Sequence, residues 1–211
     1  MSRADNGYGV KRVRVYVLLA SGFSEVAKFS LLILISYIIK LIDSLLLHSR
    51  KIASLGWLTD FGNPILAFIA LVTALYAVIV AYDAAQYFSE YDRHTYGVAL
   101  TIVKIVIGGL GLALLAFILM IVSPLMGLAA LFSFASMALI VIGALGLGYF
   151  IYLLGEIHDR GYPVPPRSLF TIAAITWIPG LFLSIFGVIS TSLLFYASRK
   201  AAVSLGSKIT R

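Results

Sequence analysis

The sequence predicts an all-α protein, a polytopic bundle of transmembrane helices in a single domain over 1–211, on three observations. No charged residue occurs from Ile105 to Gly155, and that run exceeds twice over the roughly 20 apolar residues that cross a hydrocarbon core about 30 Å thick. Hydrophobic residues make up 61% of the chain, against roughly 45 to 50% in soluble domains. Charged residues make up 12%, where about 25% is usual. A soluble globular fold does not fit this balance. Four crossings plus an amphipathic amino-terminal helix, or five crossings, both do.

The first helix, expected over about 15–47, is the ambiguous one. It is rich in Leu and Ile, but Glu25, Lys28, Lys40 and Asp43 interrupt it. At 100° per residue these four fall, with Ser21 and Ser36, within a stripe of roughly 120° on one face. Each charge at a helix centre costs about 2.5 to 3.5 kcal/mol on the insertion scale, and off-centre placement with snorkelling lowers that cost. The stripe fits a helix lying in the interface or a spanning helix whose polar side is buried against neighbours.

The next three helices carry clearer signals. Asn63 caps and Pro64 opens a helix over 64–91, whose end carries Tyr82, Tyr87, Phe88 and Tyr91 as an interfacial aromatic belt. A third helix over 97–122 holds Lys104 and the packing glycines Gly108, Gly109 and Gly111. Ser123-Pro124 turns the chain into a fourth helix over 126–153, with Ser133, Ser136, Gly143 and Gly146 on its surface. Pro163, Pro165 and Pro166 then impose an extended connection. The last helix, 169–198, carries Pro179-Gly180 near its middle and is expected as a kinked span, with a re-entrant element as the alternative.

The net charge of +7 is concentrated at the two chain ends, on Arg3, Lys11, Arg12, Arg14, Arg199, Lys200, Lys208 and Arg211. Such residues face anionic headgroups or fix orientation, so the lipid bilayer is the expected partner and nucleic acid is not. With an interfacial first helix, both basic ends and Arg50, Lys51 face the cytoplasm, leaving Arg93, Lys104, Arg160 and Arg167 outside. The absence of cysteine removes disulfides and thiolate metal sites.

Asp83 and Lys104 lie at similar distances from the turn joining the second and third helices, and an interhelical ion pair between them is expected, because a lone charge below the interface is costly. Two polar loops share one membrane face, two crossings apart: Glu90, Asp92 and His94 in one, Glu156, His158 and Asp159 in the other. Carboxylates and imidazoles together bind divalent cations or relay protons, but loops ending membrane helices ordinarily hold charges, and this spacing is no ligand motif. No metal, cofactor or catalytic residue is assigned.

The tyrosine-rich end of the second helix, with Trp177-Ile178-Pro179-Gly180 ahead of a basic tail, resembles small archaeal multi-pass membrane proteins of unknown function. The resemblance implies a prokaryotic plasma-membrane bundle and carries no site residue with it. The expected role is a non-enzymatic structural or accessory subunit, assembling with itself or with other membrane subunits through glycine and serine faces. A small channel or transporter is the alternative, and an intramembrane lipid-processing enzyme a third class.

Overall fold

A computed structural model describes residues 5–46, 64–121 and 126–209. Every regular element among them is helical: α1 (Asp5–Leu46), α2 (Pro64–Tyr91), α3 (Arg93–Ile121), α4 (Met126–Leu154), α5 (Glu156–Asp159), α6 (Arg167–Gly180) and α7 (Ser184–Gly206). Among the described residues, three stretches are long and apolar enough to cross a bilayer: Phe68–Tyr91, Arg93–Leu119 and Gly127–Asp159. They fall on the second, third and fourth helices expected from sequence. The expected cap Asn63 and the turn Ser123-Pro124 lie outside the described residues.

The elements close into a ring, with α1 on α2, α2 on α3, α3 on α4, α4 on α6, α6 on α7 and α7 back on α1. In lipid, where hydrocarbon competes with hydrocarbon, such packing rests on close van der Waals contact and on hydrogen bonds between helices. Small residues supply the closeness. A Cβ at Gly146 would lie 2.8 Å from Ile102, and one at Gly143 would collide with Val106, so α3 and α4 meet at these two glycines. Side-chain donors supply the hydrogen bonds, each to a carbonyl of another helix: Ser136 to Gly109 at 2.8 Å, Trp177 to Ala144 at 2.8 Å and Tyr96 to Leu153 at 3.1 Å. Phe88 sits at the centre of the polar-loop end of the ring, fully buried against Phe23, Tyr96 and Phe150.

α1 is one helix of 42 residues packed along α2 and α7. Its buried side runs from Leu19 through Phe23, Phe29 and Ile33 to Tyr37. The polar stripe divides. Ser36 and Lys40 turn inward, Lys40 with only 9% of its surface exposed, while Lys28 points outward and pairs with Glu25 at 2.6 Å. Asp43 lies on α1, its side chain outside the described set. A stripe 120° wide is broader than either neighbour, so its two edges meet different surroundings.

The last element differs most from expectation. The expected continuous helix over 169–198 is two helices folded back on one another. Leu181, Phe182 and Leu183 close the turn through backbone bonds to Ile178 and Pro179. Ser190 of α7 then donates to the carbonyl of Ala173 in α6 at 2.7 Å, a contact that a kinked single helix cannot make. Pro179 cannot donate to the helix ladder, and Gly180 lets the backbones touch, since a Cβ there would lie 2.7 Å from Cα and N of Gly187. Tyr37 locks the tip: its hydroxyl donates to the Gly180 carbonyl at 3.0 Å, and its ring lies against Gly187. The 14 residues of α6 reach about 21 Å, short of a hydrocarbon core of about 30 Å.

Candidate functional site

The two polar loops meet at one end of the ring. Asp92 separates α2 from α3 and caps the latter: its Oδ1 accepts the N–H groups of His94 at 3.1 Å and Thr95 at 3.2 Å, satisfying two donors that a helix start leaves open. This cap starts α3 at Arg93, four residues before Gly97. The other oxygen, Oδ2, accepts the Thr95 hydroxyl at 2.7 Å and Nη1 of Arg160 at 2.8 Å. Nη2 of Arg160 in turn donates to Thr95 Oγ1 at 3.1 Å. Asp92, Thr95 and Arg160 thus form a triangle that ties the α2–α3 junction to the loop after α4.

A second arginine ties that loop to itself. Arg167 opens α6, donates to Asp159 Oδ2 at 2.7 Å and stands 4.0 Å from Glu156. It also hydrogen-bonds the Tyr152 hydroxyl and lies over the Tyr152 ring, 4.8 Å from its centroid. Between the two arginines, Gly161 takes φ of 82°, a left-handed turn that suits glycine. That turn brings Tyr162 edge-on to Tyr91 at 5.9 Å and to Tyr16 of α1 at 5.8 Å. His158 Nδ1 lies 3.0 Å from the Val164 carbonyl.

These contacts set the charges. The Thr95 hydroxyl and then Arg160 hold the Asp92 carboxyl below its ordinary 3.8, at about 2, and the bond to Asp92 raises Arg160 in return. Burial pushes the Tyr162 phenol up to about 12, so near neutral pH it stays protonated. Asp92 and Arg160 thus form a charge-satisfied clamp, the carboxylate held ionised and the guanidinium held protonated by each other.

The Asp92–Arg160 bond brings the two loops together at one end of the bundle, but the acids and imidazoles are not gathered. Glu90, His94, His158 and Asp159 are exposed, and among the described residues no group of three or more His, Asp or Glu side chains could hold a metal ion. Asp83 and Lys104 both face outward, and no ion pair within one chain joins them among the described residues. Sequence reasoning treated Arg160 and Arg167 as loop charges only. The available signal was Asp92-x-x-Thr95, a helix-start pattern with its acid free to take a second partner.

No family model matches this chain, and no curated protein or solved structure matches it either.

The clamp has a pH signature. Asp92 has a folded pKa near 2 against an ordinary 3.8, so its stabilising contribution is complete above the unfolded value and disappears as pH falls through the folded one. The melting-temperature gap between the wild type and Asp92→Asn is expected to be constant above about pH 5 and to close between about pH 4 and 2. Thermal unfolding in detergent at a series of pH values measures it, and a gap that ignores pH would remove the ion pair from the account.

Proposed function

We propose that this chain is a multi-pass integral membrane protein with a non-enzymatic role, a structural or accessory subunit of a membrane assembly. The observation that carries this reading is where its polar groups go. Tyr37, Tyr96, Ser136, Trp177 and Ser190 donate to carbonyls of other helices, and the loop carboxylates Asp92 and Asp159 are bound by arginines. A pocket among the helices, bounded by Phe29, Tyr37, Val78, Val106, Ala144 and Trp177, has a volume of about 40 Å³ and an apolar wall. Such a space is hostile to ions and water, which need polar partners. Polar chemistry in this bundle is used to hold helices together.

The topology we propose has four crossings, α1 to α4, with α6–α7 as a re-entrant hairpin entering and leaving at the polar-loop end. The tip supports it, because Phe182, Leu183, Ile185 and Phe186 are exposed and no charged residue lies between Ser168 and Ser198. An apolar exposed turn belongs in hydrocarbon. This arrangement gathers Arg12, Arg14, Arg93, Arg160, Arg167, Arg199 and Lys200 at one end of the molecule. At the other end α1 to α4 carry no Lys or Arg beyond Lys40 among the described residues, and the sequence between α1 and α2 adds only Arg50 and Lys51. The positive-inside rule then assigns the polar-loop end to the cytoplasm, including Arg93, Arg160 and Arg167, which the interfacial-helix topology would put outside.

The channel reading is the one to test against. Sealed vesicles containing the purified protein are expected to pass protons, monovalent cations and small neutral solutes no faster than empty vesicles. Flux that Lys104→Met abolishes would overturn the subunit reading in favour of a conducting one.

A further inference from the structure

Around the outside of the ring, two flanks at the same depth differ in kind. Along α2, Asp83 lies about 12 Å from Tyr91, and along α3, Lys104 lies about 16 Å from Arg93, at 1.5 Å per residue. Both side chains are exposed, and Gln86 and Thr101 are exposed beside them. At comparable distances from the loop end the opposite flank presents Leu145 of α4 with Ile172 and Ile175 of α6, all exposed. At this depth the α2–α3 flank is the polar one and the α4–α6 flank is apolar.

The two charges also converge in depth. A side chain leans toward the start of its own helix. α3 starts at the polar-loop end, so Lys104 leans toward the loops; α2 starts at the other end, so Asp83 leans away from them. The reach of a lysine closes the remaining difference of about 4 Å. They are nonetheless not paired with each other inside one chain.

We propose that the outer flank formed by α2 and α3 is the interface of a two-fold symmetric dimer of this chain, in which Asp83 of each copy pairs with Lys104 of the other. The occupant follows from charge. A two-fold contact presents the same patch from both sides, and this patch carries one acid and one base at matched depth, so the axis meets both at once. A partner of single sign would leave one of them unmet in hydrocarbon, at a cost. The adjacent glycines fit a helix at close range: nothing lies within 4 Å of a Cβ placed on Gly108 or Gly111, whereas Gly109 on the inner side is packed against α4. This interface rests on the subunit reading and gives it a first partner.

Charge reversal in trans tests it. The chain has no cysteine, so a Val203→Cys background takes a single dye, and energy transfer between copies in lipid vesicles reports association. Unreversed copies are expected to associate, and Asp83→Lys or Lys104→Asp alone to lower association at least about tenfold. Mixing the two single variants should restore transfer, because each reversed charge then meets its opposite in the other copy. If either single variant fails to fold, the double reversal serves: it should associate with itself and exclude the wild type. A pair made within one chain predicts the reverse, with single variants still associating and the double variant mixing freely. Wild type that stays monomeric, or a mixture of single variants that stays apart, overturns the interface. Monomers that carry no flux would sink this interface while leaving the non-enzymatic reading standing.

Discussion

Replacing Gly180 with valine is expected to destroy the α6–α7 hairpin, with a loss of about 3 kcal/mol or more, at the upper end of overpacking costs. The reason is what the new side chain meets. A Cβ at this position lies 2.7 Å from Cα and N of Gly187, backbone atoms that cannot rotate away. At Gly146 the opposing atoms are the methyl and methylene carbons of Ile102 at 2.8 Å, and a side chain can yield. The substitution also separates Tyr37 from the Gly180 carbonyl, removing the hydrogen bond that holds the tip against α1. Gly180→Val should therefore lower the melting temperature far more than Gly127→Val on α4, where nothing lies within 4 Å of the new Cβ. Equal losses at the two sites would mean that the backbones of α6 and α7 do not touch at Gly180.

That contact also explains why the hairpin was hard to read in the sequence. Pro179-Gly180 is compatible with a kink and with a reversal, since proline breaks the ladder in both and glycine tolerates either. What decides between them is Gly187, which presents no side chain to Gly180 or to the Tyr37 ring, and Ser190, which bonds back to Ala173. Neither residue is a signal until the fold-back has been imagined. α2, α3 and α4 were legible because their evidence is local: Pro64 opens one, and the uncharged run fills the others.

The polar end was legible to the level of the face and no further. Counting crossings puts two loops on the same side without any knowledge of packing. Which carboxylate meets which base depends on side-chain reach across helices, and there the arginines had the advantage, with a planar fork of donors at the end of a long stem. Asp92 was drawn to Arg160 and Asp159 to Arg167, so these two carboxylates are spent on loop closure. The outward charges were misread for a related reason. Equal depth in a hairpin is necessary for Asp83 and Lys104 to pair, but the facing of each helix is also required, and the sequence period leaves that open when α2 has apolar residues on every side.

Lysine at Ile185 is expected to disable the protein, while lysine at Val203 is expected to be nearly neutral, although both residues are well exposed, at 65% and 67%. In water, two such surface substitutions would be alike, each within about 0.5 kcal/mol. In the re-entrant topology they lie in different solvents. Ile185 is at the hairpin tip, next to Phe182 and Phe186, where a charge costs about 2.5 to 3.5 kcal/mol on the insertion scale. Long-stem snorkelling offers little relief there, because the tip is the farthest point of α6–α7 from the loop-end interface. Val203 stands near the other end of α7 beside Arg199 and Lys200, where one more cation joins others facing anionic headgroups. Expression level in membranes and melting temperature in lipid for the two variants measure the contrast, with Ile185→Leu as the control for local packing. If Ile185→Lys is tolerated as well as Val203→Lys, the tip reaches water. α6–α7 would then have to leave the hydrocarbon, and the four-crossing arrangement with its strongly basic polar-loop face would fall with it.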